Sequence, residues 1–357
     1  MADADVDSLK SRLADISGSF IDEWLRIHAD YPGTLWHYTN AQGLLGILQN
    51  NELWFSDASF LNDASEMSYA VELTEKLVAE RLKVESVTPL EKEYLESFLK
   101  SIISHRDNIK DYAFVNPSFV CCFCEEADSL HLWRAYSDHG RGYSIGLYLD
   151  HIIRKLAPIR LAERAVHNDR LVETWHYFRP FLCKVIYQEE EQQRIINRLL
   201  DMLVQAIKDA PAEFPSGDVN NIHKMIVTSR LFRLFYLCLV CFKHPTFKDE
   251  REWRLIYAPD FFREDKDPGS ASIAELHYRP SGSYFVPYLK VDVSREIEVE
   301  HEGSKVKMKK LVFETIFSGP GLDERLARAS FNAYALRNGY LGFNVGMRPS
   351  KVPLRSL

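Results

Sequence analysis

Two short apolar runs, far apart in the chain, carry polar residues where a buried strand has no use for them. The first is Leu35-Trp36-His37-Tyr38-Thr39 and the second is Glu252-Trp253-Arg254-Leu255-Ile256-Tyr257. Side chains alternate across a strand, so His37 and Thr39 share one face of the first run and Trp36 and Tyr38 the other. In the second run Glu252 and Arg254 share a face opposite Trp253 and Leu255. The pattern predicts that two strands offer His/Thr and Glu/Arg to one cleft. A carboxylate fixed there favours the positive charge that builds on a sugar when an N-glycosidic bond breaks. An arginine two residues on suits a diphosphate, whose oxygens its planar fork matches. The plainer alternatives are a core histidine with one satisfied hydrogen bond and a same-face ion pair of Glu252 with Arg254.

Further candidates surround these two runs. Trp54 lies in the strand-like Leu53-Trp54-Phe55-Ser56. Asn62, Asp63 and Glu66 read first as caps for the helix that follows, with a place at the cleft rim as the alternative. A metal site made by His37, Asp63 and Glu66 is a further alternative, and no metal is expected. Trp133, Arg134 and Tyr136 fall on a short predicted helix, Trp133 and Tyr136 sharing a face at i and i+3. Packing is the simple reading of these aromatics. Arg134 and Arg141 are surface charges or phosphate contacts. Cys121-x-x-Cys124 and Cys238-x-x-Cys241 have the outline of a split zinc site. Their surroundings are apolar strand and helix without turn residues, so buried reduced thiols are expected.

The elements that position these residues can be read along the chain. An amphipathic helix is predicted over residues 8–28, then the His37 strand, a helix over 41–49 and the Trp54 strand. Helices are predicted over 64–84 and 89–106, the second with Thr88 as cap and Pro89 in its first turn. A strand over 115–124, a short helix over 128–138 and a strand over 143–149 follow. Residues 150–180 are mixed, and 183–187 is strand-like. Long helices are expected over 189–210 and 221–242, then the Glu252 strand and a charged loop over 259–272. Strands over 284–293 and 307–313, a helix over 323–338 ended by Gly339, and a strand over 343–345 close the chain. Strands spread along the chain with helices inserted between them predict an α+β fold. The expected organisation is an N-terminal helix over 1–30 and a single domain over 31–357 with helical inserts near 64–110 and 189–242. No dinucleotide fingerprint or phosphate-loop motif is present.

Bulk composition narrows the field. A 357-residue chain that is 46% hydrophobic and 27% charged fits a globular protein. The net charge of -7 argues against a global basic footprint for nucleic acid, leaving a local patch at Lys305–Lys310. No apolar run reaches the roughly 18–20 residues of a membrane span. The acidic first residues lack a signal-peptide pattern, so a cytoplasmic location is expected.

Several blocks together resemble the bacterial family numbered 2971 among domains of unknown function. They are Leu35-Trp-His-Tyr-Thr, Glu52-Leu-Trp-Phe-Ser, Phe60-Leu-Asn-Asp-Ala-Ser-Glu66, Cys122-Phe-Cys-Glu-Glu, Leu132-Trp-Arg-Ala-Tyr-Ser-Asp-His-Gly-Arg-Gly, Glu250-Arg-Glu-Trp-Arg, Phe317-Ser-Gly-Pro and Arg348-Pro-Ser-Lys-Val-Pro-Leu-Arg. Asp63-Ala64 departs from that family's Asp-Pro. A strand with His-Tyr-Thr, a middle aromatic and a late strand glutamate is similar, in turn, to the His–Tyr–Glu class of ADP-ribosyltransferases. That resemblance implies a split, mainly antiparallel sheet with helical inserts and NAD as substrate. It implies His37 as ribose binder, Glu252 as catalytic carboxylate, and a middle aromatic on the nicotinamide that is Trp54, Trp133 or Tyr136; Tyr38, Thr39, Asn62, Asp63, Arg134 and Arg254 are the further binding candidates read from the residues themselves. The function it implies is ADP-ribosyl transfer to an unknown protein or nucleic-acid acceptor, or NAD hydrolysis, as in a toxin or phage-defence effector. The rivals are a non-catalytic nucleotide-sensing or interaction module, self-associating or with a partner, and an enzyme that processes nucleic acid.

Overall fold

The computed structural model describes residues 18–20, 33–61, 65–107, 117–167, 170–208, 218–259, 271–301, 304–340 and 346–353. The chain runs β1 (Thr34–Thr39), α1 (Ala41–Asn50), β2 (Glu52–Asp57), α2 (Ser65–Leu82), α3 (Pro89–Asp107), β3 (Phe119–Cys124), α4 (Leu130–Tyr136), β4 (Tyr143–Tyr148) and α5 (Leu149–Lys155). It continues with β5 (Ile159–His167), β6 (Arg170–Lys184), α6 (Glu189–Lys208), α7 (Asp218–Leu239), β7 (Glu252–Pro259), β8 (Ser272–Ile273), β9 (Leu276–Ser281) and β10 (Tyr284–Asp292). It closes with β11 (Arg295–His301), β12 (Ser304–Lys310), β13 (Phe313–Ser318), α8 (Glu324–Arg337) and β14 (Met347–Pro349).

β3 is the strand on which the sheet divides. One of its edges pairs with β7 along its whole length, from Phe119 opposite Tyr257 to Cys124 opposite Glu252. The other edge is shared. β1 meets it at Cys124, and β2 meets it at Val120 and Phe119. One arm continues through β4 and β13 to β14, the other through β10 to β9, and beyond β7 the sheet runs through β6 and β5 to β8. Twelve described strands join this sheet, which is antiparallel except at β13–β14 and β5–β8. A large, mostly antiparallel sheet with helices in both expected insert regions is thus what the fold shows.

Both faces of β3 are covered, which explains its unbroken apolar sequence Phe-Val-Cys-Cys-Phe-Cys. On one face Val120 and Ile256 join α2, α3, α6 and α7 in a single core with Leu95, Leu199 and Phe235. On the other face Phe123, Trp253 and Leu255 pack with α1, α5 and α8 through Leu44, Ile152 and Phe331. Local signals start and stop these helices as expected. Thr88 and Glu91 exchange backbone and side-chain hydrogen bonds in a capping box ahead of α3. Asp323 caps α8, and Gly339 follows it at φ +73°.

Two expectations need correction. The mixed stretch 150–180 holds a long antiparallel hairpin, β5 against β6. Its Ala-Glu-Arg segment has helical propensity and blurs the period-2 signal. The predicted strand over 307–313 is divided: Lys307–Lys310 ends β12, which among the described strands pairs only with β11, and Phe313 opens β13 in the main sheet. Of the predicted N-terminal helix only residues 18–20 are described, and they are helical. Asn62, Asp63, most of the loop over 259–272 and the strand over 343–345 lie outside the described residues.

Candidate functional site

Register decides which side chains meet. Trp36 stands opposite Cys124, and Cys124 stands opposite Glu252, so the three form one row across β1, β3 and β7. Directly opposed residues of an antiparallel pair project from the same face. Trp36 and Tyr38 therefore share their face with Glu252 and Arg254, while His37 and Thr39 belong to the opposite face. The single cleft expected for His37 and Glu252 is not formed. The alternation within each strand is as predicted, but one residue of register between strands exchanges the faces.

His37 has a different task. Its Nδ1 lies 2.9 Å from the carbonyl oxygen of Cys122, at the place where β1 and β2 part from β3. A carbonyl only accepts, so Nδ1 carries the proton and the ring bridges the fork. Burial lowers the His37 pKa, outweighing the Cys122 hydrogen bond, and keeps the ring neutral. Thr39 closes the start of α1, where a Cβ added to Gly43 would stand 2.0 Å from its Oγ1.

Glu252 and Arg254 form a buried pair with two contacts: Arg254 Nε donates to Oε1 at 2.9 Å and Nη2 to Oε2 at 3.0 Å. Arg254 Nη1 donates to the Val240 carbonyl at 2.6 Å. Lys243 Nζ reaches Glu250 at 2.6 Å and Glu252 at 3.3 Å. The Tyr136 hydroxyl donates to Glu250 at 2.9 Å, and the Glu252 backbone N–H donates to the Tyr187 hydroxyl at 3.1 Å. Arg251, between the two glutamates, sits in the left-handed region at φ +44°. This turn directs Glu250 and Glu252 onto one lysine, while the Arg251 side chain pairs with Glu126 at 2.9 Å. Two cations and two carboxylates thus balance inside the protein, which is what makes their burial tolerable. Burial works to raise the Glu252 pKa, but Arg254 and Lys243 outweigh it and hold the carboxyl well below its usual range.

Thiols surround the pair. Cys122 and Cys183 flank Arg254 on the neighbouring strands, and Cys124 flanks Glu252. Burial, reinforced by the Glu252 charge, raises the pKa values of Cys122 and Cys124 well above the usual thiol range. These sulfurs stay protonated and are poor nucleophiles. Cys121 and Cys124 project to opposite faces of β3, so that CxxC pair does not converge on one ion. Among the described residues no group of three or more His, Cys, Asp or Glu is placed to hold a metal ion.

Helix α4 covers the β1 side of the same face. Leu132 and Trp133 pack on Trp36, Tyr38 and Cys124. Tyr38 meets Trp133 edge to face at 4.8 Å. Trp133 Nε1 donates to Asp128 at 2.6 Å, and Asp128 also receives the Lys351 backbone N–H at 2.8 Å, drawing residues 350–352 onto the helix. Trp133 is fully buried and acts in packing. Arg134 is exposed and, with Ser129, Leu130, His131 and Ala135, lines a shallow, open cleft on the surface of α4. Ser129 Oγ lies 3.0 Å from His131 Nδ1, and His131 Nε2 is buried with no hydrogen-bond partner among the described residues.

The glycines after α4 lock the strand ends together. Gly319 N–H donates to the Gly142 carbonyl and Gly321 N–H to the Gly140 carbonyl, both at 2.9 Å. Asp138, His139 and Gly140 are successively left-handed, at φ +48°, +54° and +90°. Trp54 stands apart, on the β2 arm, stacked on Tyr288.

The sequence reading missed Lys243, Glu250 and Tyr187. Lys243 ends an apolar run, and a lysine at the end of a buried helix reads as a surface charge. Its signal was the return of Glu250 and Glu252 only a short turn later.

No curated protein and no solved structure matches the chain. No helix among the described residues is long and apolar enough to cross a membrane. Residues 132–255, which carry most of α4, the glycine turn, Lys243 and the Glu252–Arg254 pair, match the family model described as "Protein of unknown function (DUF2971)".

Proposed function

We propose that the protein binds NAD or a related nucleotide at the cleft beside α4 and holds it without cleaving it. The observation that carries this reading is the state of Glu252, whose two oxygens already accept from Arg254 with Lys243 beside them. Breaking a glycosidic bond builds positive charge that needs uncompensated negative charge close by. A carboxylate that is 6% exposed and matched by two cations offers little of it. Arg134 supplies a planar fork at the cleft for a diphosphate.

A second reading rests on Lys243, which lies closer to Glu250 than to Glu252. Ligand phosphates that draw Lys243 further away would leave Glu252 freer to act as the carboxylate of an ADP-ribosyltransferase or NAD glycohydrolase. Calorimetric titration with NAD and with ADP-ribose, run beside a chromatographic assay of nicotinamide release, tests both. The expected result is binding that Arg134→Ala weakens about tenfold, with no release. Release that disappears in Glu252→Gln establishes the second reading. Absence of both binding and release overturns both.

A further inference from the structure

We propose that the outer face of α8 is the contact surface of a symmetric homodimer in which two copies of this helix pack antiparallel. α8 carries apolar rows on two opposite sides. Ala327, Phe331 and Ala335 recur every four residues and are buried against the sheet. Leu326, Ala329, Ala333 and Leu336 recur at spacings of three, four and three, and form a second row half a turn away. That row faces solvent: Leu326 is 70% and Leu336 69% exposed, and both alanines are exposed. One exposed leucine is ordinary on a protein surface. Two of them in register, with only alanines between them along the row, make the a/d seam of a helix pair.

The occupant that fits this row is a second copy of it. A two-fold axis level with Phe331 sets Leu326 against the partner's Leu336 and Ala329 against the partner's Ala333, so large side chains meet at both ends and small ones in the middle. The central alanines let the helix axes approach to about 8 Å. Charge matches as well. Asp323 and Arg337 flank the seam on one side, two heptads apart. The axis that pairs the leucines therefore also sets each Asp323 beside the partner's Arg337. Asp323 Oδ1 caps the helix at the Leu326 N–H, 2.9 Å away, and Oδ2 is left for the arginine. On the other flank Asn332 meets the partner's Asn332. Arg328 stays off the seam, paired with its own Glu324 at 2.7 Å. A parallel pair would set acidic end on acidic end and align the two helix dipoles, both unfavourable. A contact made by one helix of each copy falls below roughly 1,200 Å², the class of reversible association. α8 and α4 cover opposite faces of the sheet, so the dimer leaves the cleft beside α4 open.

The test is sedimentation equilibrium of the whole chain over a wide range of concentration. A reversible monomer–dimer equilibrium with a Kd on the order of 10–100 μM is expected. Ala329→Glu places a carboxylate from each copy beside the axis and should raise that Kd at least a hundredfold. Arg337→Glu turns two attractive flanking pairs repulsive and should weaken the dimer about tenfold. Both positions are exposed and both replacements are good helix formers, so circular dichroism of each variant should match wild type. A wild-type chain that stays monomeric overturns the proposal, even where it binds lipid vesicles or another protein through α8. A dimer that Ala329→Glu leaves unchanged overturns it as well, because the contact then lies elsewhere. A dimer that Arg337→Glu does not weaken overturns the antiparallel arrangement.

Discussion

His37 and Glu252 lie on opposite faces of one sheet, with β3 between their strands. His37 bonds the Cys122 carbonyl at the fork, and Glu252 faces the helices on the other side. Replacing His37 with Leu should leave that carbonyl unsatisfied and cost about 1–3 kcal/mol at neutral pH in urea denaturation. The folded-state pKa of His37 is lowered, so the unfolded chain binds the extra proton first. Stability from the neutral ring is present above the unfolded histidine pKa and is lost as pH falls below it. The gap between wild type and His37→Leu should therefore narrow on going from pH 8 to pH 5. A gap that widens over that range contradicts the neutral, bridging histidine.

Removing one partner from the buried network should be severe. Lys243→Met leaves Glu252 to Arg254 and Glu250 to the neutral Tyr136 hydroxyl, and a broken buried pair costs about 3–5 kcal/mol. Glu252→Gln should cost a similar amount. The folded pKa of Glu252 is depressed to about 2, so its contribution is complete above the unfolded carboxylate pKa and is lost as pH falls from there through the folded value. Wild type and Glu252→Gln should converge in stability at acid pH, as followed by thermal melts between pH 7 and pH 3.

Asp57 should behave in the opposite sense. It is 1% exposed, its Oδ1 accepts the Ser59 N–H at 2.9 Å, and its Oδ2 has no partner among the described residues. Burial pushes its pKa up to about 7. The folded protein keeps the proton that the unfolded chain releases, so stability falls as pH rises from about 4 to about 7. Asp57→Asn keeps the cap and never ionises. It should equal wild type near pH 4 and exceed it by on the order of 3–4 kcal/mol at pH 8. Equal stability at pH 8 refutes a buried, protonated Asp57.

The glycines separate into two groups. A Cβ on Gly142 would stand 2.3 Å from the Thr39 carbonyl oxygen and 2.8 Å from Ser137 Cβ, so Gly142→Ala should cost about 1–3 kcal/mol. Gly46, inside α1, has nothing within 4 Å of such a Cβ. Gly46→Ala should gain about 0.5–1 kcal/mol through helix propensity. The two midpoint shifts in urea should have opposite signs.

Arg251 tests the left-handed turn between the glutamates. Arg251→Gly removes the Cβ penalty at φ +44° and loses only an exposed ion pair with Glu126. Arg251→Val puts a β-branched side chain at that angle and should be the less stable of the two by about 2 kcal/mol or more. Equal melting temperatures for Arg251→Gly and Arg251→Val count against this account of the turn.

Much of the fold was legible because it is written locally. The period-2 runs around Trp36, Phe55 and Leu255, the Thr88–Glu91 box and the Asp323 and Gly339 boundaries each depend on neighbours in sequence. The pairing of Glu252 with Arg254 was legible for the same reason, being a contact across two residues. Lys243, Tyr136 and Tyr187 reach that pair through turns and register, which no local pattern encodes. The face of His37 was illegible on those grounds too: alternation says that His37 and Tyr38 diverge, and only the pairing of Trp36 with Cys124 says which of them meets Glu252.

The forked strand has a consequence for synthesis. β3 draws partners from residues 34–57 on one edge and 252–259 on the other. A nascent chain leaving the ribosome can complete the first edge early. The second stays open until more than a hundred further residues have emerged, including both long helices of the second insert. During that interval Phe-Val-Cys-Cys-Phe-Cys presents an uncharged, proline-free row of backbone donors and acceptors, the kind of edge that other chains pair with. The protein should therefore be at most risk of misassembly before Trp253 arrives, and truncation upstream of β7 should yield insoluble material where truncation after it does not.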